Sequence, residues 1–136
     1  MSGTLLDANV LLDVVTDDPT WAEWSQRQMM AAALQGPLLI NPVIYAEVSV
    51  GFRRIEEWEA VLAAIAVKLV EIPRAALFLA GKTFRAYRST GGRKGGVLPD
   101  FFLGAHAAVA GLPLLSRGTG RYRTYFPTLQ LIAPSG

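Results

Sequence analysis

Short, wholly apolar runs alternate along this chain with longer stretches in which apolar residues recur at helical spacing. Leu5-Leu6 runs into Asp7, Ala8-Asn9 follows, and Val10-Leu11-Leu12 resumes the apolar character at once. That pattern predicts a buried strand that delivers Asp7 at its carboxyl end, with a helix leaving from Asn9. Asp17-Asp18-Pro19-Thr20 is turn chemistry with an N-cap, so a helix is expected over 21–34, stopped by Gly36-Pro37. Trp21, Trp24, Met29 and the alanines give that helix an apolar face, expected to pack inward, although a partner surface would have the same pattern. Leu38-Leu39-Ile40, bounded by Pro37 and Asn41-Pro42, fits an interior parallel strand. Asn41 then caps a helix whose first residue is Pro42, because proline there gives up only an N–H that had no partner. Glu47 falls on the second turn of that helix, among Val43, Ile44, Ala46, Val48 and Val50.

The second half continues the alternation. An amphipathic helix is expected over 55–66, a strand over 68–72 and, after Pro73, a helix running to about Arg88. Ser89-Thr90-Gly91-Gly92-Arg93-Lys94-Gly95-Gly96 is a loop; no strand leads into it and it lacks phosphate-loop spacing, so it is either a basic loop beside a site or a connector. A helix begins near Val97-Leu98-Pro99-Asp100 and stops at Gly111, with Asp100 in its first turn. Strands follow at 112–115 and 129–132. Strands alternating with helices, without repeats or a linker, predict one α/β domain over residues 1–136 built on a doubly wound sheet. Periodicity alone does not order the strands.

Composition narrows the setting. The chain has 136 residues and no cysteine, which excludes disulfides and thiolate metal sites. Hydrophobic residues make up 51% of it, yet no apolar run approaches the roughly 18 residues of a membrane span. A soluble, cytoplasmic protein without membrane contact is expected. Residues 1–83 carry six Lys/Arg against ten Asp/Glu, and residues 84–136 carry seven Lys/Arg against Asp100 alone. An acidic half facing a basic half suits a site that holds cations while gripping a polyanion; solvated Arg-rich loops would give the same count.

Asp7, Glu47 and Asp100 are the candidate chemistry. They converge only if the strands beside them lie parallel and adjacent, and their repulsion in a low-dielectric cleft then calls for a cation. Oxygen ligands without a Cys pair or His cluster favour Mg²⁺ or Mn²⁺ over Zn²⁺. Such an ion, with the basic C-terminal half, points to a phosphodiester substrate. Each acid also has a simpler reading: Glu47 as a partner of Arg53 or Arg54, and Asp100 as a group favoured by its helix dipole. His106 lies six residues beyond Asp100, about 600° around the helix, and is expected to be packed or hydrogen-bonded rather than a ligand.

Four segments in this order, Leu-Leu-Asp-Ala-Asn from residue 5, Asn-Pro-Val-Ile-Tyr-Ala-Glu-Val from 41, Leu-Pro-Asp-Phe-Phe-Leu-Gly-Ala-His-Ala from 98 and Leu-Leu-Ser-Arg from 114, resemble the PIN domain, and within it the VapC-type toxins of toxin–antitoxin pairs. The resemblance spans essentially the whole chain. It implies an α/β three-layer sandwich with a central, mostly parallel sheet of four to five short strands flanked by helices. It further implies a Mg²⁺- or Mn²⁺-dependent endoribonuclease, in which Asp7 and Asp100 bind metal, Glu47 completes the acidic cluster and helps activate water, and Asn9 and Ser116 orient the site. RNA contacts are expected from Arg93, Lys94, Arg117, Arg121 and Arg123. Partners implied are a small cognate antitoxin, a second copy in a homodimer, and a toxin–antitoxin hetero-oligomer. The family pattern places an Asp directly after the Ser/Thr-Arg pair, where this chain has Gly118, and no Asp or Glu follows Asp100. A catalytically weakened or inactive PIN-like module that binds RNA or antitoxin is therefore the alternative. A phosphatase with Asp7 as covalent nucleophile would want an acid at position 9, which Asn9 occupies.

Overall fold

A computed structural model describes residues 2–92 and 98–134. Five strands form one sheet: β1 (Thr4–Leu6), β2 (Leu38–Ile40), β3 (Val67–Leu69), β4 (Leu114–Leu115) and β5 (Leu131–Ile132). Their order is β3-β2-β1-β4-β5, and every pairing is parallel. The helices are α1 (Ala8–Val15), α2 (Ala22–Gln35), α3 (Pro42–Ser49), α4 (Ile55–Ala64), α5 (Arg74–Ser89), α6 (Leu98–Ala110) and α7 (Gly120–Tyr125). The fold is thus the α/β arrangement expected, with the sheet wholly rather than mostly parallel.

The central strand explains the arrangement. β1 is buried on both faces, and Leu5 and Leu6 are fully inaccessible, as an interior parallel strand requires. It pairs with β2 on one side and β4 on the other, so the chain winds outward in opposite directions from β1. Such a switch point leaves a crevice beyond the carboxyl ends of the strands. Asp7, the residue after β1, stands there.

Several boundaries differ from expectation for identifiable reasons. The helix expected over 55–66 ends at Ala64 because Ala66 adopts a left-handed conformation, with φ of 56°. The strand expected over 68–72 is β3 at 67–69. Its partner β2 ends at Ile40, whose carbonyl accepts the last ladder bond from the Val70 N–H at 2.8 Å before Asn41 turns the chain into α3. The apolar face of α2 is only partly core: Met29 and Ala32 are buried, whereas Met30 and Leu34 are exposed. Between the strands expected at 112–115 and 129–132 the sequence pattern predicts no element, yet the chain there forms α7, seated by buried Tyr122 and Phe126. Gly104 on α6 permits that seating. A Cβ there would come within 2.5 Å of the Phe126 ring, so any side chain would push α7 away from α6. Phe101 lies edge-on to Phe126 and Tyr125 and completes the contact.

Candidate active site

Asp7 is held by donors from three elements. Its Oδ1 accepts the Ala8 N–H at 2.7 Å, which caps α1, while Oδ2 accepts hydroxyl protons from Ser116 and Tyr122, each at 2.7 Å. The Asp7 N–H itself bonds the Leu115 carbonyl at 2.9 Å and so ties the carboxylate to the end of β4. Asp7 is 5% exposed. Carboxylates buried this deeply need such donors, because an unpaired one costs several kcal/mol.

Asn9 and Ser116 make the next layer. Ser116 is inaccessible and its Oγ accepts the Gly118 N–H at 3.0 Å; the Asn9 amide N–H approaches the same oxygen at 3.4 Å. The Asn9 carbonyl oxygen accepts the Arg117 N–H at 3.2 Å. The two residues fix the β4 exit loop against α1, with Ser116 also bonded to Asp7.

Glu47 and Asp100 reach the same end of the sheet from α3 and α6. The start of α3 is tied to the second half of α6. Asn41 caps α3 by accepting the Ile44 N–H at 3.0 Å, and its amide nitrogen lies 3.3 Å from His106 Nδ1 on α6. Burial lowers the His106 pKa, in keeping with a neutral ring that accepts from Asn41. His106 is a bracing residue, as expected, and it aligns the helices that carry the two acids.

Glu47 does not pair with Arg53 or Arg54. Its Oε1 is buried and has no hydrogen-bond partner among the described residues. Burial, then the charges of Asp7 and Asp100, push its pKa from 4.5 to about 7. Asp100 is likewise raised, by burial and by Asp7, against the opposing pull of Arg121 and Tyr122. The three carboxylates are thus close enough to act on one another electrostatically. Among the described residues, however, no three acidic or histidine side chains are drawn into a closed metal site.

Two neighbours in α7 stand among the acids, and sequence reasoning missed the role of one. The single phenol proton of Tyr122 goes to Asp7, and the same oxygen stands 3.4 Å from Asp100 Oδ1, between the two acids. Its surroundings push the phenol pKa strongly upward, first through burial and then through the carboxylates. Arg121 makes a close ion pair with Asp100 Oδ2 through one guanidinium nitrogen. The available signal was the i, i+4 spacing of Tyr122 and Phe126 inside an Arg-rich segment. A cavity of about 480 Å³, lined by Asp100, Gly118, Thr119, Arg121 and Tyr122 among others, opens Asp100 to solvent.

The cations expected to meet RNA divide. Arg123 is exposed, and Arg121 sits on Asp100. Arg117 is instead taken up by Asp13, through Nε at 2.6 Å and Nη2 at 2.9 Å, while Ser25 Oγ donates to the same carboxylate at 2.7 Å. Asp13 is marked in the sequence only as a polar residue in an apolar context, and Ser25, among Glu23, Gln26 and Arg27, not at all. Arg93 and Lys94 lie outside the described residues.

A family model for the PIN domain matches residues 4–127. The chain belongs to the PIN domain family. Among solved structures, it is similar to VapBC2 of Rickettsia felis bound to a promoter DNA fragment, at 15% identity and a TM-score of 0.73, covering 97% of this chain and 98% of that one. A toxin–antitoxin complex from Klebsiella pneumoniae matches at 19% identity and a TM-score of 0.67, over 98% of both chains. VapBC-1 from nontypeable Haemophilus influenzae matches at 16% identity and a TM-score of 0.68, over 96% of both. Comparison with curated proteins gives no match. No described helix is long and apolar enough to cross a membrane.

Proposed function

We propose that this protein is a VapC-type toxin, a divalent-metal-dependent endoribonuclease that hydrolyses RNA phosphodiester bonds and is neutralised by a small cognate antitoxin. The observation that carries the reading is the meeting of Asp7 and Asp100 at the Tyr122 hydroxyl beyond the switch point of the sheet, with Glu47, on which both charges bear, keeping Oε1 buried and unpartnered among the described residues. An all-oxygen donor set with one orphaned carboxylate oxygen fits a hard divalent cation, Mg²⁺ or Mn²⁺. Asp7 and Asp100 would hold it, and Glu47 would complete the set. When bound, such an ion supplies positive charge for the phosphate oxygens and makes water at the site more acidic.

The residues of the chain supply the rest. Ser116, Tyr122 and the Ala8 N–H keep Asp7 in one orientation, with Asn9 bracing Ser116. Glu47, whose Oε1 is buried without a hydrogen-bond partner among the described residues, would help activate the attacking water. Arg123 on the exposed face of α7 offers a cation to the RNA backbone, with Arg93 and Lys94 as further candidates by sequence. The similarity to toxin–antitoxin complexes supports the antitoxin partner, and a homodimer and a cytoplasmic setting belong to the same reading.

The second reading, a weakened or inactive PIN module, is favoured by Gly118, which leaves the cleft without a fourth acid. Incubation of the purified chain with tRNA and MnCl₂, with and without chelator, tests the proposal. Cleavage that stops with chelator and is lost by about a hundredfold or more in Asp7→Asn is the expected result. Cleavage indifferent to both would overturn it, and Mn²⁺ binding without cleavage would select the second reading.

A further inference from the structure

The acidic cleft contains a cation of its own. Arg121 reaches from α7 to Asp100 with one guanidinium nitrogen, and the side chains of the pair are 35% and 28% exposed. The guanidinium also lies 5.8 Å from the Tyr87 ring centroid, and Arg121 lines the cavity. Asp100 is therefore engaged at Oδ2 by Arg121, with the Tyr122 hydroxyl near Oδ1 at 3.4 Å. A divalent cation seeking Asp100 meets both. Tyr122 is buried and fixed by its bond to Asp7, whereas Arg121 is long, partly solvated and reaches Asp100 through one nitrogen beside the Tyr87 ring.

We infer that Arg121 is a built-in counter-ion of the cleft, which competes with a divalent cation for Asp100 and swings aside when that cation binds. The inference rests on the metal-dependent reading above and deepens it. Where a fourth carboxylate would add negative charge to the cleft, this chain has Gly118, and three residues later it supplies a positive charge instead. Both differences act in the same direction, toward weaker metal binding. The released guanidinium remains at the cavity mouth, within the region where a phosphate would approach. Metal binding and exposure of a phosphate-seeking cation are then a single event.

Calorimetric titration of the full chain with MnCl₂ alone tests this, comparing wild type with Arg121→Gln, Arg121→Lys and Asp100→Asn. Removing the charge in Arg121→Gln should tighten Mn²⁺ binding about three- to tenfold, a modest gain because the pair is partly solvated. Arg121→Lys should stay near wild type. Arg121→Gln binding equal to or weaker than wild type overturns the counter-ion. No Mn²⁺ binding by any form, or undiminished binding by Asp100→Asn, overturns the metal-dependent reading as well. A second readout needs no variant: on Mg²⁺ titration followed by NMR, the Arg121 guanidinium signal should move while that of Arg117 stays. A motionless Arg121 signal in a protein that binds Mg²⁺ also overturns the proposal.

Discussion

Two arginines four residues apart, Arg117 and Arg121, each pair with an aspartate, and the pairs are built to opposite ends. Asp13 is 3% exposed, takes Arg117 through two nitrogens, and is joined by the Ser25 hydroxyl. The Trp21 ring lies 5.1 Å from the same guanidinium. Every feature of that pair resists opening, since a buried carboxylate left alone costs several kcal/mol. Asp100 takes Arg121 through one nitrogen, in a cavity open to solvent. Opening that pair exposes a carboxylate to water or to another cation, at little cost. One arginine clamps α1 to the β4 exit and so builds the site; the other lies in the site and can leave it.

The contrast is broken most forcefully by deleting each arginine in turn. Arg117→Ala should lower unfolding stability by about 2–4 kcal/mol, because Asp13 stays buried without its counter-ion. Arg121→Ala should cost less than about 1 kcal/mol. Urea denaturation measures both, and equal losses would erase the distinction.

The next largest effect belongs to Glu47. Its pKa is raised in the folded chain, so the native state binds a proton that the unfolded state has released between pH 4.5 and about 7. Stability contributed by the protonated carboxyl is complete below that window and is lost as pH rises through it. Discounted for partial exposure, the decline in metal-free protein should be about 1–2 kcal/mol. Glu47→Gln should flatten this slope, leaving the part that the likewise raised Asp100 contributes, and should leave the cost of Arg117→Ala unchanged, the two sites being separate. Thermal melts across the window measure it, and an unaltered slope would mean that Glu47 is not the strained acid.

The smallest effect sharpens the metal side of the comparison. Gly118 is exposed, and a Cβ there would meet only Ser116 Oγ, at 3.6 Å, an ordinary contact. Gly118→Asp should therefore fold normally and tighten Mg²⁺ binding by about threefold, one further charge at a solvated rim. Calorimetry showing no gain would put position 118 out of reach of the ion.

How far the sequence alone leads depends on the range of the interaction. Leu5-Leu6 before Asp7, Leu38-Leu39-Ile40 before Asn41 and the proline-started entry into α3 are local signals, and strands and caps followed them closely. The sheet order was not legible, because pairing β1 with β4 joins residues more than a hundred apart. The same holds for Arg117, whose partner Asp13 lies 104 residues away; as a charge in a basic stretch it was indistinguishable from Arg121. Tyr122 is absent from the residues the sequence singles out, because its importance comes from what α6 and β1 bring to it. Gly104 shows why α7 escaped notice: the helix is six residues long and exists through contact with α6 more than through its own propensity.

The central claim is that Asp7, Glu47 and Asp100 act as one cation-holding group. Mn²⁺ titration of wild type and Glu47→Gln at about pH 6 and about pH 8 tests it most directly, because proton and metal compete for the same carboxylate. The account predicts that wild-type affinity rises clearly with pH while the variant binds more weakly at the higher pH and changes little between the two. Equal affinities for wild type and variant at both values would contradict it.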